Sequence, residues 1–243
     1  MFVLVMGFAA SPPTIGGHEA MIRAAIAKFL AEGRSPAALK VVMLPSADGA
    51  PVLGKVMSAP AHHRMAMAAI MTNKLRQDFP GIEFMVSPLE ILFGQCSGQP
   101  SYLINTLRLL YHDMEFLSRD DPRFAAELFL APEDKLILLY GADALVTLPR
   151  WKSSKELEQL FRKKNIELWV MPRDGVDINA DTNPFMSLCS WLPADSFAHQ
   201  ANISSSQIRQ AIASSSVKDV SCFLAKHLQP EILRYIEKER LYL

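Results

Sequence analysis

The sequence predicts an α/β protein: an open parallel sheet with helices on both faces and a helical segment at the C-terminus. Three observations lead there. Short continuous apolar runs recur along the chain, as in strands buried on both faces. Between them lie stretches with apolar residues at helical spacing, which imply parallel pairing through right-handed crossovers. The tail from Ser204 onward carries helical patterns with breaks and no further strand run.

The elements follow in order. Phe2–Met6 is a buried strand ended by Gly7, and from Glu19 the residues Met21, Ile22, Ala25, Ile26, Phe29 and Leu30 recur at helical spacing. Leu39–Leu44 is a second strand, followed by a long Gly/Pro/Ala-rich loop over Pro45–Ala59. Pro60 opens a helix to about Arg76, with Met65, Ala68, Ala69 and Leu75 as core candidates, and Ile82–Val86 is a short strand. Pro100–Leu117 reads as an amphipathic helix, and residues 118–134 as a charged surface insertion. Lys135–Tyr140 is the clearest buried strand. Ser153–Lys164 is a helix, Ile166–Met171 a strand, and Ser190–Leu192 a last short strand. Such a sheet is Rossmann-like and binds ligands outside the carboxyl ends of its strands. The loops after Met6, Leu44 and Tyr140 are the places to look.

Length and composition bound the rest. The 243 residues fit one domain, spanning 1–243, with the 118–134 insertion and a helical segment over 204–243. Half the residues are hydrophobic, enough for a sizeable core. Lys plus Arg and Asp plus Glu stand at 25 each, which argues against a polybasic nucleic-acid surface. No apolar run is long enough to span a membrane, and the N-terminal run lacks a basic flank. Cys96, Cys189 and Cys222 lie far apart, so a disulfide framework or a cysteine zinc site is not expected. A soluble cytoplasmic protein is the expectation, with neither nucleic acid nor membrane as partner. A monomer and a homo-oligomer both stay open.

Three segments carry candidate chemistry. In "GFAASPPTIGGHEAM" two prolines stop the strand and two glycines precede His18 near a helix N-terminus. Free N–H groups and the helix dipole there favour an anion, typically phosphate. An ordinary strand-to-helix loop with an exposed histidine is the alternative. In "GADALVTLPRWKSSKEL" Gly141 gives a tight exit from the strand. Asp143 either accepts hydrogen bonds from ribose hydroxyls or caps the next helix. Trp151 either stacks on a flat ring or plugs the core edge. In "ISSSQIRQAI" Ser204–Ser206 and Arg209, one turn on, suit an anion; a serine N-cap with an exposed arginine is the alternative. His62 and His63 are adjacent, a poor metal pair, and read as surface residues, with Arg64 facing the site. No metal-ligand set stands out.

Taken together, the segments resemble the bacterial nicotinate mononucleotide adenylyltransferases of the nucleotidylyltransferase superfamily. "GFAASPPTIGGH" is similar to the family's Gly-Gly-Ser/Thr-Phe-x-Pro-x-His/Thr-x-Gly-His opening, and "APAHHRMAM" to its Glu-His-Arg-Leu-x-Met helix. "GQPSYLINTLRLL" resembles Gly-x-Pro-Ser-Tyr-Thr-x-Asp-Thr-Leu, and "LLYGADALVTLPRWKSSKEL" the Gly-Ala-Asp segment with its Trp loop. "LWVMPRDG" resembles the strand before an Arg-Pro-Gly turn, "ISSSQIR" is close to Ile-Ser-Ser-Thr-x-Ile-Arg, and "YIEKERLYL" matches the family's close.

The resemblance implies a reaction in which the phosphate of nicotinate mononucleotide attacks the α-phosphorus of ATP, with Mg²⁺ assisting. It implies catalytic roles for His18 and Arg209. It implies ATP contacts from Gly7, Thr14, Gly17, His18, Gly141, Asp143, Ser205, Ser206 and Arg209. Leu103, Trp151 and Lys55 would meet the mononucleotide, with Trp151 on the pyridine ring. Leu103 stands where the family has Thr, and Asn105 where it has Asp. The step from Thr14 to His18 is one residue longer than the family's. Inside an α-helix that residue would rotate His18 by about 100°. Absorbed at the double glycine, it would leave His18 in place and shift Thr14; the glycines favour this second outcome. Two rival functions stay open: use of the nicotinamide mononucleotide, and a catalytically weak nucleotide-binding regulator.

Overall fold

The computed structural model describes residues 1–48, 58–98, 102–111, 130–173, 175–176, 183–193, 203–214 and 217–243. Lys55, the 100–101 and 112–117 parts of the expected amphipathic helix and the 118–129 part of the expected insertion lie outside the described residues.

Among the described residues six strands form one sheet: β1 (Phe2–Phe8), β2 (Leu39–Pro45), β3 (Glu83–Val86), β4 (Lys135–Gly141), β5 (Glu167–Met171) and β6 (Cys189–Trp191). Their order is β3-β2-β1-β4-β5-β6, and every neighbouring pair is parallel. This is the doubly wound order, whose direction reverses between β1 and β4 and opens a crevice at their carboxyl ends.

Alternation along the strands divides the core. Leu4, Met6 and Phe8 join Val41, Met43, Ile137, Leu139 and Trp169 on one face. That face is covered by α1 (Ala20–Ala31), α2 (Ala61–Asp78) and three C-terminal helices, α7 (Ser205–Ser214), α8 (Val217–His227) and α9 (Pro230–Lys238). Val3, Val5, Val42, Leu44, Leu136, Leu138, Leu168 and Val170 face the other way. There they meet α3 (Leu89–Ser97), α4 (Leu103–Leu110), α5 (Ala142–Thr147) and α6 (Ser154–Lys164). Burial on both faces explains why the strands read as continuous apolar runs.

Two elements differ from expectation. The α4 helix starts at Leu103, with Tyr102 extended as its N-cap, and ends at Leu110. The α3 helix was not expected; Ser87 Oγ accepts the Leu89 N–H at its start, 3.2 Å away. Among the described residues no helix is long and apolar enough to cross a membrane.

Candidate active site

The segment Ala9–Thr14 leaves the carboxyl end of β1 at the point where strand order reverses. Ala10 sits there at φ +52, fully buried. A left-handed residue with a Cβ costs about 1–2 kcal/mol, so its surroundings must hold it. They do so from three directions. Arg64 on α2 donates through Nη1 to the Ala9 carbonyl at 3.1 Å. Arg209 on α7 donates to the Ser11 carbonyl at 2.7 Å, and Ser205 Oγ to the Pro12 carbonyl at 2.8 Å. The Tyr242 hydroxyl lies 3.2 Å from Ser11 Oγ. Burial raises the Tyr242 phenol above its ordinary range, so it stays protonated.

The chain then enters a π-helical turn, Ile15–Glu19, before α1. The Glu19 N–H bonds the Thr14 carbonyl at 3.1 Å, a five-residue step. A π turn carries one residue more than an α turn, so it takes up the extra residue between Thr14 and His18. His18 Nδ1 accepts the Thr14 amide at 3.2 Å, and Thr14 Oγ1 lies equally close. With Nδ1 accepting, Nε2 carries the ring proton and is the donor. The His18 ring packs on Phe8, centroids 5.0 Å apart. A Cβ at Gly17 would stand 2.7 Å from Thr14 Oγ1, so only glycine fits without displacement.

The serine triplet resolves into three jobs. Ser204 forms a capping box with Gln207: its amide donates to Gln207 Oε1 at 2.8 Å and its Oγ accepts the Gln207 N–H at 3.3 Å. Ser205 holds Pro12, and Ser206 Oγ accepts from Arg209 Nη2 at 3.0 Å. Arg209 and Ser205 therefore meet the Ala9–Thr14 segment, with Ser206 behind Arg209, although they lie near the other end of the sequence.

Beyond β4, Gly141 is the N-cap of α5, and no side-chain bond caps that helix. Asp143 is exposed in the first turn and pairs with Arg173 at 3.4 Å. Next to it is an open pocket of about 280 Å³ lined by Ala142, Pro172, Arg173, Val176, Met186 and Trp191. Trp191, 41% exposed, was not singled out from sequence, although an exposed tryptophan ending a strand is a visible signal. Gly7 lies in β1 opposite Leu44.

Further along the segment that follows β4, Trp151 is half-buried. Its Nε1 donates to Thr147 Oγ1 at 3.1 Å, and its ring meets Tyr140 edge-on with centroids 5.9 Å apart. Leu103 and Trp151 pack against the same half of the core. Lys152 Nζ lies 4.7 Å from the Tyr102 ring centroid.

The structure refines two readings near α2. Arg64 meets the site from inside the core, through the Ala9 carbonyl. It is fully buried, donating to the carbonyls of Ala59 and Ala9 and to Asp48 at 2.6 Å. His63 is half-buried and bonds the Tyr235 hydroxyl at 2.9 Å, while His62 is exposed. Among the described residues no group of three or more His, Cys, Asp or Glu side chains is placed to hold a metal ion.

The sheet order and its reversal between β1 and β4 define a doubly wound, Rossmann-like α/β fold. Solved structures carry the same architecture: Plasmodium falciparum nicotinic acid mononucleotide adenylyltransferase complexed with APC superposes with a TM-score of 0.66, covering 99% of this chain and 96% of that one at 14% identity. Its complex with NaAD gives 0.66 over 99% and 97% at 15% identity. No protein-family model matches. In sequence, a probable nicotinate-nucleotide adenylyltransferase of Roseiflexus sp. (strain RS-1) is 29% identical, covering 84% of this chain and 82% of its own length. A protein of the same name from Xylella fastidiosa (strain M12) is 24% identical over 95% of this chain and 91% of its own.

Proposed function

We propose that this chain transfers the AMP moiety of ATP to nicotinate mononucleotide in the cytoplasm, releasing pyrophosphate and forming nicotinate adenine dinucleotide. The observation that carries this reading is that Ser205 and Arg209, with Ser206 bonded to Arg209, hold the Ser11–Pro12 segment that leads into the His18 turn at the reversal of strand order. The end-to-end likeness to adenylyltransferases of that specificity supports it.

The chemistry needs positioning and charge stabilisation, not a covalent nucleophile. A phosphate oxygen of the mononucleotide attacks the α-phosphorus in line. The bond from that phosphorus to the bridging oxygen of pyrophosphate breaks, and pyrophosphate leaves with the electron pair. His18 donates from Nε2 to the phosphates, and Arg209 supplies positive charge beside it. Ser206 adds a hydroxyl donor, Ser205 holds the loop through the Pro12 carbonyl and offers its N–H at the start of α7, and Gly7, Thr14 and Gly17 let the phosphates lie close to the backbone. Asp143 accepts from the ribose hydroxyls past Gly141, with the adenine toward the Arg173 pocket. Mg²⁺ enters on the ATP phosphates as MgATP, as suits a cation usually bound through substrate phosphates. Leu103, Trp151 and Lys55 serve the mononucleotide, with Trp151 against the pyridine.

Leu103 favours a second reading, because its side chain offers no hydrogen bond to a pyridine carboxylate. Pyrophosphate release with MgATP and each mononucleotide separates the two. The account expects the nicotinate form to react several-fold faster. Equal or reversed preference assigns the amide, and no turnover by folded protein with either assigns the regulator.

A further inference from the structure

Glu90, on the unexpected helix α3, is a carboxyl buried beneath the site and unused by the reaction above. It is 8% exposed. Its Oε1 accepts from Thr106 Oγ1 on α4 at 2.8 Å. A second hydrogen bond comes from Ser46, at the carboxyl end of β2, and the Arg64 guanidinium attracts it from α2. A Cβ on Gly7 would lie 3.9 Å from the same Oε1. Tyr140 of β4 feels its charge, and burial together with that charge raises the phenol. The groups facing Glu90 are thus Thr106, Ser46, Arg64 and Tyr140, with the Gly7 backbone beside them.

Each of these contacts leads to one half of the site. Ser46 donates from its amide to the Phe8 carbonyl at 3.0 Å, next to the Ala9–Thr14 segment. Arg64 holds Ala9 directly. Thr106 belongs to α4, whose first residue is Leu103. Glu90 therefore joins the loop proposed for the ATP phosphates to the helix proposed for the mononucleotide. A reaction that depends on in-line placement of two substrates loses rate when its two halves shift by an ångström.

We propose that Glu90 is a positioning residue that locks the phosphate loop to α4, and that its ionised form does the locking. Two hydroxyls donate to it and the nearby Arg64 charge favours its ionised form; a carboxylate accepts freely from both hydroxyls, while a carboxylic acid gives up one acceptor site. Burial, the dominant influence, pushes its pKa up to about 7, with the bonds from Thr106 and Ser46 opposing it. The lock then closes as pH rises through neutrality. The inference rests on the adenylyl-transfer reading for its rate effects, but not for its structural ones.

The test is Glu90→Gln, with steady-state kinetics from pH 5.5 to 9, melting temperature and amide hydrogen exchange. At pH 8.5 the variant should lose three- to tenfold in kcat while melting no lower than the parent. The parent's kcat should fall as pH drops through about 7, and the variant should lack that inflection. Thr106→Val, which removes the bond from α4 and keeps the carboxyl, should also lower kcat. Exchange should quicken in the variant at both Gly7–Ser11 and Leu103–Leu110. Parental kcat at pH 8.5, a kcat loss that only tracks a lower melting temperature, or unchanged exchange at either segment overturns the proposal. If the parent itself turns over no mononucleotide, the functional reading fails, and the exchange comparison still decides the role of Glu90.

Discussion

Substituting Gly17 by alanine probes the π turn that carries His18. The added Cβ would stand 2.7 Å from Thr14 Oγ1 and 4.0 Å from the Ile203 carbonyl oxygen. A carbon and an oxygen rest at roughly 3.3 Å or more, so Thr14 must retreat by about half an ångström or more. Thr14 is 2% exposed and its χ1 is stiff, so it has little room. Overpacking of this kind costs about 1–3 kcal/mol. Alanine regains roughly 0.5–1 kcal/mol over glycine in a helical backbone. The net loss is then about 0–2.5 kcal/mol, or a melting temperature lower by up to roughly 10 °C in a chain of this size. Thr14 Oγ1 would also leave His18 Nδ1, so kcat should fall with it. On a Thr14→Ala background the clash has no partner, and Gly17→Ala should raise the melting temperature instead of lowering it. The assay is thermal unfolding of the four proteins of this cycle, with turnover on each. The same sign and size of effect on both backgrounds would refute the argument that Thr14 dictates glycine at this position.

Three further outcomes follow. His18→Ala should lower kcat by roughly two orders of magnitude, as removal of one preorganised donor does, and should also lower the melting temperature, because the buried Thr14 amide loses its acceptor; near-parental turnover would remove His18 from the reaction. Trp151→Ala should raise KM for the mononucleotide by roughly tenfold and leave KM for ATP little changed, since ring stacking contributes about 1 kcal/mol. Trp151→Phe should recover much of that loss. A large drop in melting temperature with an unchanged ratio of the two KM values would make Trp151 a core plug. Glu90 is raised from 4.5 in the open chain to about 7. The raised value means that folding disfavours the ionised form, so its contribution is full below about 4.5 and lost as pH rises to about 7. The loss is roughly 3 kcal/mol, on the order of 1.4 kcal/mol per pKa unit. Glu90→Gln should therefore gain stability relative to the parent between pH 5 and 8 in chemical denaturation, and a constant difference across that range would contradict this burial.

The strands were legible because burial on both faces leaves apolar runs such as Lys135–Gly141 that little else produces. The three loops at the strand ends followed from that rhythm alone. Ser205, Ser206 and Arg209 stood out as a group, but Ser204 as a capping box required the partner Gln207 to be weighed as well. The π turn was not legible: local pattern distinguishes helix from strand, and both placements considered for the extra residue assumed α-helical or loop geometry. The α3 helix was passed over because it is short and carries Gly94 and a buried charge, each of which blurs an apolar stripe. Arg64 illustrates the general difficulty. A charged side chain in a sequence reads as exposed or functional, and only the fold reveals that two carbonyls and Asp48 enclose it.

The central claim is that AMP is the group transferred, and phosphorus labelling follows that group directly. The protein is incubated with nicotinate mononucleotide, Mg²⁺ and ATP labelled at either the α or the γ phosphorus, and the products are separated. The account predicts that the α label appears in a dinucleotide and the γ label in pyrophosphate, in equal amounts and only when the mononucleotide is present. Transfer of the γ label to the mononucleotide, or release of γ label as inorganic phosphate without dinucleotide, would contradict it.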